Sequence, residues 1–320
     1  MVVVLLRDDR WTQCDLNEAL LAAVVIKRTD LAELLLEKGA QAEVLDFEEI
    51  CETVDPEFME KMLRGGADPM KENGFARGLD YLSARPLLRF YRSLREEFPS
   101  LHLQASLALA EAASKKRVRW TALLAWAGAD PHLKVPDDLS VDWDFSEEDS
   151  FRTAARDACW SGKAEVVKVL QLKKDPDRLR ELLEWAAVNP SVGVFKELLS
   201  KLGGEDLNTG TPASCRALEK LVECGPFGYE CVAEDEGKIG CMRWLIESGA
   251  RWSPEWERIG DIRRYLLRHS YSSVGATIRV LYENPNALDR GVLVELCRTP
   301  AIRRAIEASD PRLLRRISSL

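Results

Sequence analysis

The chain has 320 residues, of which 46% are hydrophobic and 31% charged, with a formal net charge of −8. That balance excludes a disordered chain, and the length calls for two domains or one elongated repeat array. The charge is uneven: residues 251–320 hold 13 Arg, no Lys and 8 acidic residues, leaving 32 basic and 45 acidic residues before them. A partner would therefore meet an acidic body with a basic tail.

The opening run Met1–Leu6 is too short for a signal-peptide core, and no later stretch approaches 18 uninterrupted apolar residues. No membrane association is expected. Eight cysteines stand singly, none in a CxxC pair, and several fall on apolar helical faces. This usage fits a reducing, cytoplasmic location better than a disulfide framework.

Along the chain one phrase recurs: a Leu-rich helix that ends in Gly-Ala or Gly-Gly-Ala and a polar turn. It reads LAELLLEKGAQAE at Leu31–Glu43, FMEKMLRGGADPM at Phe58–Met70, TALLAWAGADPHL at Thr121–Leu133 and CMRWLIESGARWS at Cys241–Ser253. In each, Gly39, Gly66, Gly128 or Gly249 ends the helix, because glycine takes the left-handed conformation at little cost. Asp68-Pro69 and Asp130-Pro131 then hold the chain extended. A second half-motif precedes some of these endings, a small-residue helix closing in a tight turn. Gly162 and Gly237 are the expected turn residues, and Lys27 stands where that glycine would sit in Leu20–Ala40.

These segments resemble ankyrin repeats, most closely at residues 158–170 and 233–250. The resemblance implies an all-α, ankyrin-like helical repeat solenoid of six to eight units with a C-terminal helical cap. Two departures stand out. The Thr-Pro-Leu-His start of the inner helix is absent. Gly39, Gly66, Gly128, Gly203 and Gly249 are also spaced unevenly, unlike the regular ~33 residues of an ankyrin unit. The expected organisation is N-terminal repeats over 1–136, an acidic inserted loop over 137–150, C-terminal repeats over 151–253 and a basic helical cap over 254–320. The cap would consist of short helices at Trp256–Arg268, Val274–Tyr282, Arg290–Cys297 and Ala301–Ala308.

Enzyme signatures are missing: there is no Gly-rich phosphate loop, HExxH, GxSxG or dinucleotide fingerprint. His102, His132 and His269 stand alone, and Cys215, Cys224, Cys231 and Cys241 have no zinc-module spacing. Asp142, Asp144 and Glu148 lack the glycine and spacing of a calcium loop. No catalytic residue, cofactor or metal is expected. The insert does carry Trp143 and Phe145 among its acids, a pair that could anchor a basic partner or fold back onto the helices. Trp185 and Trp244 sit among apolar neighbours and are expected in the core.

In ankyrin-like proteins the inner helices and hairpin tips form the usual binding surface. By position this resemblance nominates Trp160, Arg156, Asp235, Glu236, His132 and Met70 as partner-binding residues. The basic stretch Ser114–Trp120 and the tail arginines Arg303, Arg304, Arg312, Arg315 and Arg316 are read as solvated helix faces. No stacking set accompanies them, and the acidic body would repel nucleic acid. The segment Leu293–Ile306 is similar to the start of a suppressor-of-cytokine-signalling box, in which Leu293 and Cys297 would dock onto elongin; Pro300 interrupts that helix. The expectation is a monomeric, non-catalytic protein-binding module acting as adaptor, inhibitor or assembly subunit. The alternatives are a ubiquitin-ligase adaptor and an enzyme with a Cys nucleophile.

Overall fold

The computed structural model describes residues 11–136, 151–187, 189–202, 218, 221, 232–251, 262–263, 266–267 and 271–319. The chain folds as two units, Met1–Asp157 and Ala158–Leu320. The first contains helices α1 (Gln13–Val25), α2 (Thr29–Glu37), α3 (Phe47–Glu52), α4 (Pro56–Arg64), α5 (Gly74–Leu82), α6 (Arg85–Leu94), α7 (Pro99–Ser114) and α8 (Val118–Ala127). Helix α1 starts at a capping box: Thr12 Oγ1 accepts from the Asp15 amide at 3.3 Å, and Asp15 Oδ2 accepts from the Thr12 amide at 2.8 Å. Helix α4 starts at Asp55, whose carboxylate takes the amides of Glu57 and Phe58, with Pro56 in the first turn.

These helices stack in two layers. Helix α1 packs on α3, α3 on α5 and α5 on α7, while α4 packs on α6 and α6 on α8. Hairpin partners α1–α2, α3–α4 and α7–α8 pair between the layers. An aromatic cluster fills the middle: Phe47, Phe75 and Phe90 are fully enclosed, with Phe75 edge-on to Phe47 at 5.8 Å and to Phe90 at 5.7 Å. Tyr91 donates to or accepts from His102 Nδ1 at 2.8 Å with the rings stacked, which gives the isolated histidine a packing role.

Four of the outer helices, α2, α4, α8 and α13 (Val232–Glu247), end in one geometry, while α6 ends at a right-handed Arg95. Gly39, Gly66, Gly128 and Gly249 have φ of 101°, 100°, 103° and 98°. The following alanine amide bonds back five residues each time: Ala40 to Leu35, Ala67 to Met62, Ala129 to Leu124 and Ala250 to Leu245, at 3.0–3.1 Å. Each of those alanines is buried. This closure satisfies carbonyls that the helix end would otherwise strand.

The inner helices, α1, α3, α5, α7 and α9 (Ala154–Trp160), end differently. Lys27, Val54, Ser83 and Lys116 all have positive φ, between 49° and 59°, and Gly162 follows at 68°. The positions advance in steps of roughly thirty residues, the last lengthened by residues 137–150. Gly237 does not belong to the series. It lies inside a continuous helix, α13 (Val232–Glu247), rather than at the expected turn.

One element departs from an all-helical reading. Strands β1 (Val135–Pro136) and β2 (Phe151–Arg152) pair antiparallel, Val135 with Arg152 and Pro136 with Phe151, and so bracket residues 137–150. Helix α9 (Ala154–Trp160) follows. The second unit continues with α10 (Ala164–Val169), α11 (Pro176–Ala186), α12 (Val192–Leu202), α13, α14 (Tyr271–Glu283), α15 (Arg290–Cys297), α16 (Pro300–Ser309) and α17 (Pro311–Ile317). There α10 and α11 pack on α12, α12 on α13 and α13 on α14, and α14 to α17 form the terminal cluster. Helices α14, α15 and α16 fall on the expected segments Val274–Tyr282, Arg290–Cys297 and Ala301–Ala308, α17 is an additional helix, and most of Trp256–Arg268 lies outside the described residues. Among the described residues no helix is long and apolar enough to cross a membrane.

Candidate partner-binding surface

Two hairpin tips share one design. In the first, Asp68 Oδ1 accepts from the Met70 amide at 2.8 Å; in the second, Asp130 Oδ1 accepts from the His132 amide at 2.8 Å. The proline carbonyl of each tip then receives the first amides of the next inner helix, Pro69 from Phe75 and Pro131 from Ala155. The turns are thus rigid platforms with side chains presented from fixed backbone. Met70 is 41% exposed, as a tip residue should be. His132 is only half-buried, and its Nε2 is enclosed by protein.

Of the other nominated residues, Trp160 stands at the end of α9, 43% exposed. Its ring stacks on Trp185 at 6.2 Å and 14°, and its carbonyl accepts from Asn189 Nδ2 at 2.9 Å. Trp185 is half-buried in this stack rather than a core residue. Trp244 is also half-buried, with the Lys196 ammonium 5.9 Å from its ring centre. Arg156 is half-buried beside Asp157. Asp235 and Glu236 fall within α13, but their side chains lie outside the described residues, as do Trp143 and Phe145.

Two inner-helix ends missed in the sequence, Val25 and Tyr81, are more exposed than the nominated residues whose side chains are described. Val25, Tyr81 and Trp160 each lie two positions before a left-handed residue, Lys27, Ser83 and Gly162. Tyr81 is 76% exposed, and Val25 and Ile26 are exposed as well. Within the first unit these ends are held stiffly. Asp80 takes Lys115 Nζ at 2.7 Å and Arg117 Nη1 at 2.6 Å, Arg117 Nη2 also bonds Ser83 Oγ, and Lys27 pairs with Glu52 at 3.5 Å. The Ser114–Trp120 stretch is therefore partly neutralised by Asp80 instead of being simply solvated. Spacing from Gly162 back to Lys27 was the signal that could have located Tyr81.

At the base of the insert sits a buried charge network. Arg152 binds Asp157 Oδ2 through Nε at 2.8 Å and Nη2 at 2.6 Å, and Glu111 through Nη1 at 2.6 Å. Burial pushes the Asp157 carboxyl up to about 6 against the opposing pull of Arg152.

Chemistry-bearing groups are otherwise sparse among the described residues. No group of three His, Cys, Asp or Glu could hold a metal. Burial raises the thiols of Cys51, Cys241 and Cys297, the latter two to about 12 and about 11, which disfavours the nucleophilic thiolate. A cleft of about 330 Å³ in the second unit is lined by Glu247, Arg251, Glu283 and Asn284 with neighbouring backbone. Leu293 and Cys297 are 2% and 6% exposed, turned into the terminal cluster. No family model matches the chain, and no curated protein matches it.

Proposed function

We propose that this chain is a non-catalytic, ankyrin-type repeat module that binds a protein partner through its hairpin tips and inner-helix ends. The observation that carries the reading is Tyr81, held 76% exposed at the end of α5 beside the ion-paired Asp80. A large aromatic fixed in solvent on a rigid helix loses little entropy on binding, which suits an interface anchor. Met70 on its tip and Val25 with Ile26 extend the set within the first unit, and Trp160 is a separate exposed aromatic of the second. The helix closures at Gly39, Gly66, Gly128 and Gly249 support the ankyrin-type assignment.

The ubiquitin-ligase reading gains no support, because it needs Leu293 and Cys297 on an accessible face. The test compares affinity purification with the wild-type chain and with a Met70→Ala/Tyr81→Ala variant. Both substitutions are on exposed side chains, so thermal stability should stay within about 0.5 kcal/mol. A discrete protein recovered by the wild type and depleted at least tenfold by the variant is expected; equal recovery overturns the assignment of the surface.

A further inference from the structure

The first unit carries 20 Lys and Arg against 30 Asp and Glu, a balance of −10, so its basic side chains have acids in excess to pair with. Many do. Lys27, Arg28, Lys61, Arg64, Lys71 and Arg77 each have a carboxylate within 4 Å. Four arginines on two adjoining helices break that habit. Arg85, Arg89 and Arg92 form an exposed stripe on α6 at helical spacing, and Arg119 is exposed on α8, which packs beside it. None has an ion pair among the described residues.

The same face carries Trp126, 63% exposed. It points away from the buried side of α8 formed by Trp120, Thr121, Leu124 and Ala127. The Arg92 guanidinium lies 4.4 Å from the ring centre. That stacking accounts for Arg92 alone. It leaves Arg85, Arg89 and Arg119 with uncompensated charge next to an open aromatic edge.

We infer that this outer-helix face, Arg85, Arg89, Arg92, Arg119 and Trp126, is a docking site for a short acidic segment of a protein partner. Three arguments select that occupant. Guanidinium forks match carboxylates two at a time, and Arg and Trp are the residue types that dominate interface energy. The stripe from Arg85 to Arg92 spans only about 10 Å, the reach of two or three carboxylates. Beyond it Glu96 follows on the chain and α4, which packs on α6, carries the exposed Glu57, so a longer polyanion would also meet negative charge. The surface is separate from the tips and inner-helix ends and stands whether or not those bind.

The experiment uses the full chain and a fluorescein-labelled eight-residue peptide of alternating Glu and Asp, read by anisotropy at low salt. Competing probes are an oligothymidylate and phosphatidylserine vesicles. The wild type should bind the peptide, with affinity falling as salt rises. Arg89→Glu/Arg92→Glu should weaken binding at least tenfold, Arg89→Gln/Arg92→Gln by a smaller factor, and Trp126→Ala about threefold, with circular dichroism unchanged. Absent peptide binding overturns the proposal, as does equal binding by both arginine variants. Tighter, arginine-dependent binding of the oligonucleotide or the vesicles overturns it too, by assigning the face to nucleic acid or membrane.

Discussion

In the hairpins α1–α2, α3–α4 and α7–α8 the two ends solve one problem with different residues. Where α2, α4, α8 and α13 end, the left-handed position holds glycine, Gly39, Gly66, Gly128 and Gly249, whereas after α10 it holds Gln171. Where inner helices end in the first unit, the same sign of φ is imposed on Lys27, Val54, Ser83 and Lys116. A left-handed conformation costs an ordinary L-residue roughly 1–2 kcal/mol, and a β-branched one such as Val54 is an outlier. The inner ends therefore carry strain that the glycine-ended outer helices avoid, and surrounding structure must hold them. For Ser83 that structure is visible in the Arg117–Asp80 network.

The largest break in this comparison comes from removing glycine at an outer end. A Cβ at Gly128 would lie 1.3 Å from Arg95 Nη1, which donates to the Ala127 carbonyl at 3.0 Å. At Gly39 a Cβ would meet nothing within 4 Å. Gly39→Ala should thus cost only backbone strain, about 1 kcal/mol, and Gly128→Ala about 3 kcal/mol, since Arg95 must also leave its carbonyl. Urea denaturation of the two variants checks the ordering, and equal losses would mean that Arg95 contributes nothing there.

How much of this was legible follows from the same contrast. Glycine marks a left-handed turn openly, so the outer ends and the Gly-Ala closure could be read from sequence. Lys27 was placed by analogy with Gly162, but Val54, Ser83 and Lys116 carry no local sign of their conformation, and the steps between inner ends were hidden with them. Gly237 misled for the converse reason: a glycine inside a helix costs stability without making a turn. Met70 was found because Asp-Pro fixes the tip, whereas Tyr81 was missed with its turn. Trp126 is a different omission. Trp120, Leu124 and Ala127 define the buried side of α8, and Trp126 falls off it, a pattern available from spacing alone.

An intermediate effect sharpens the comparison between the uninterrupted hairpins and the one that follows the insert. There β1 and β2 close the base, and Arg152 ties Asp157 to Glu111 before α9 resumes the helical pattern. Asp157 has a folded value near 6 against an ordinary 3.8, so the fold favours its protonated form. Its contribution to stability is therefore full below about 3.8 and is lost as pH rises through 6. Between pH 7 and pH 5 the wild type should gain about 1 kcal/mol relative to Asp157→Asn. Parallel urea midpoints for the two chains across that window would show that the buried network does not titrate. The exposed acids with lowered values, such as Asp30 and Glu97, act at lower pH, and Glu49, raised by burial, is common to both chains and cancels in the comparison.

The smallest expected effect tests the strain at an inner end directly. Lys116 has φ of 58°, its side chain is exposed, and its amide bonds the Ala113 carbonyl at 3.0 Å, a bond that glycine retains. Lys116→Gly relieves roughly 1–2 kcal/mol of left-handed strain and gives back about 0.5–1 kcal/mol in unfolded-chain entropy. A net gain of about 0.5 kcal/mol in urea unfolding is expected. Val54 is a poorer site for the same test, because its half-buried side chain would forfeit packing together with the strain. A loss at Lys116 would instead show that the inner ends are left-handed at no cost, and that glycine at the outer ends serves the close approach of Arg95 and Glu43 more than backbone freedom.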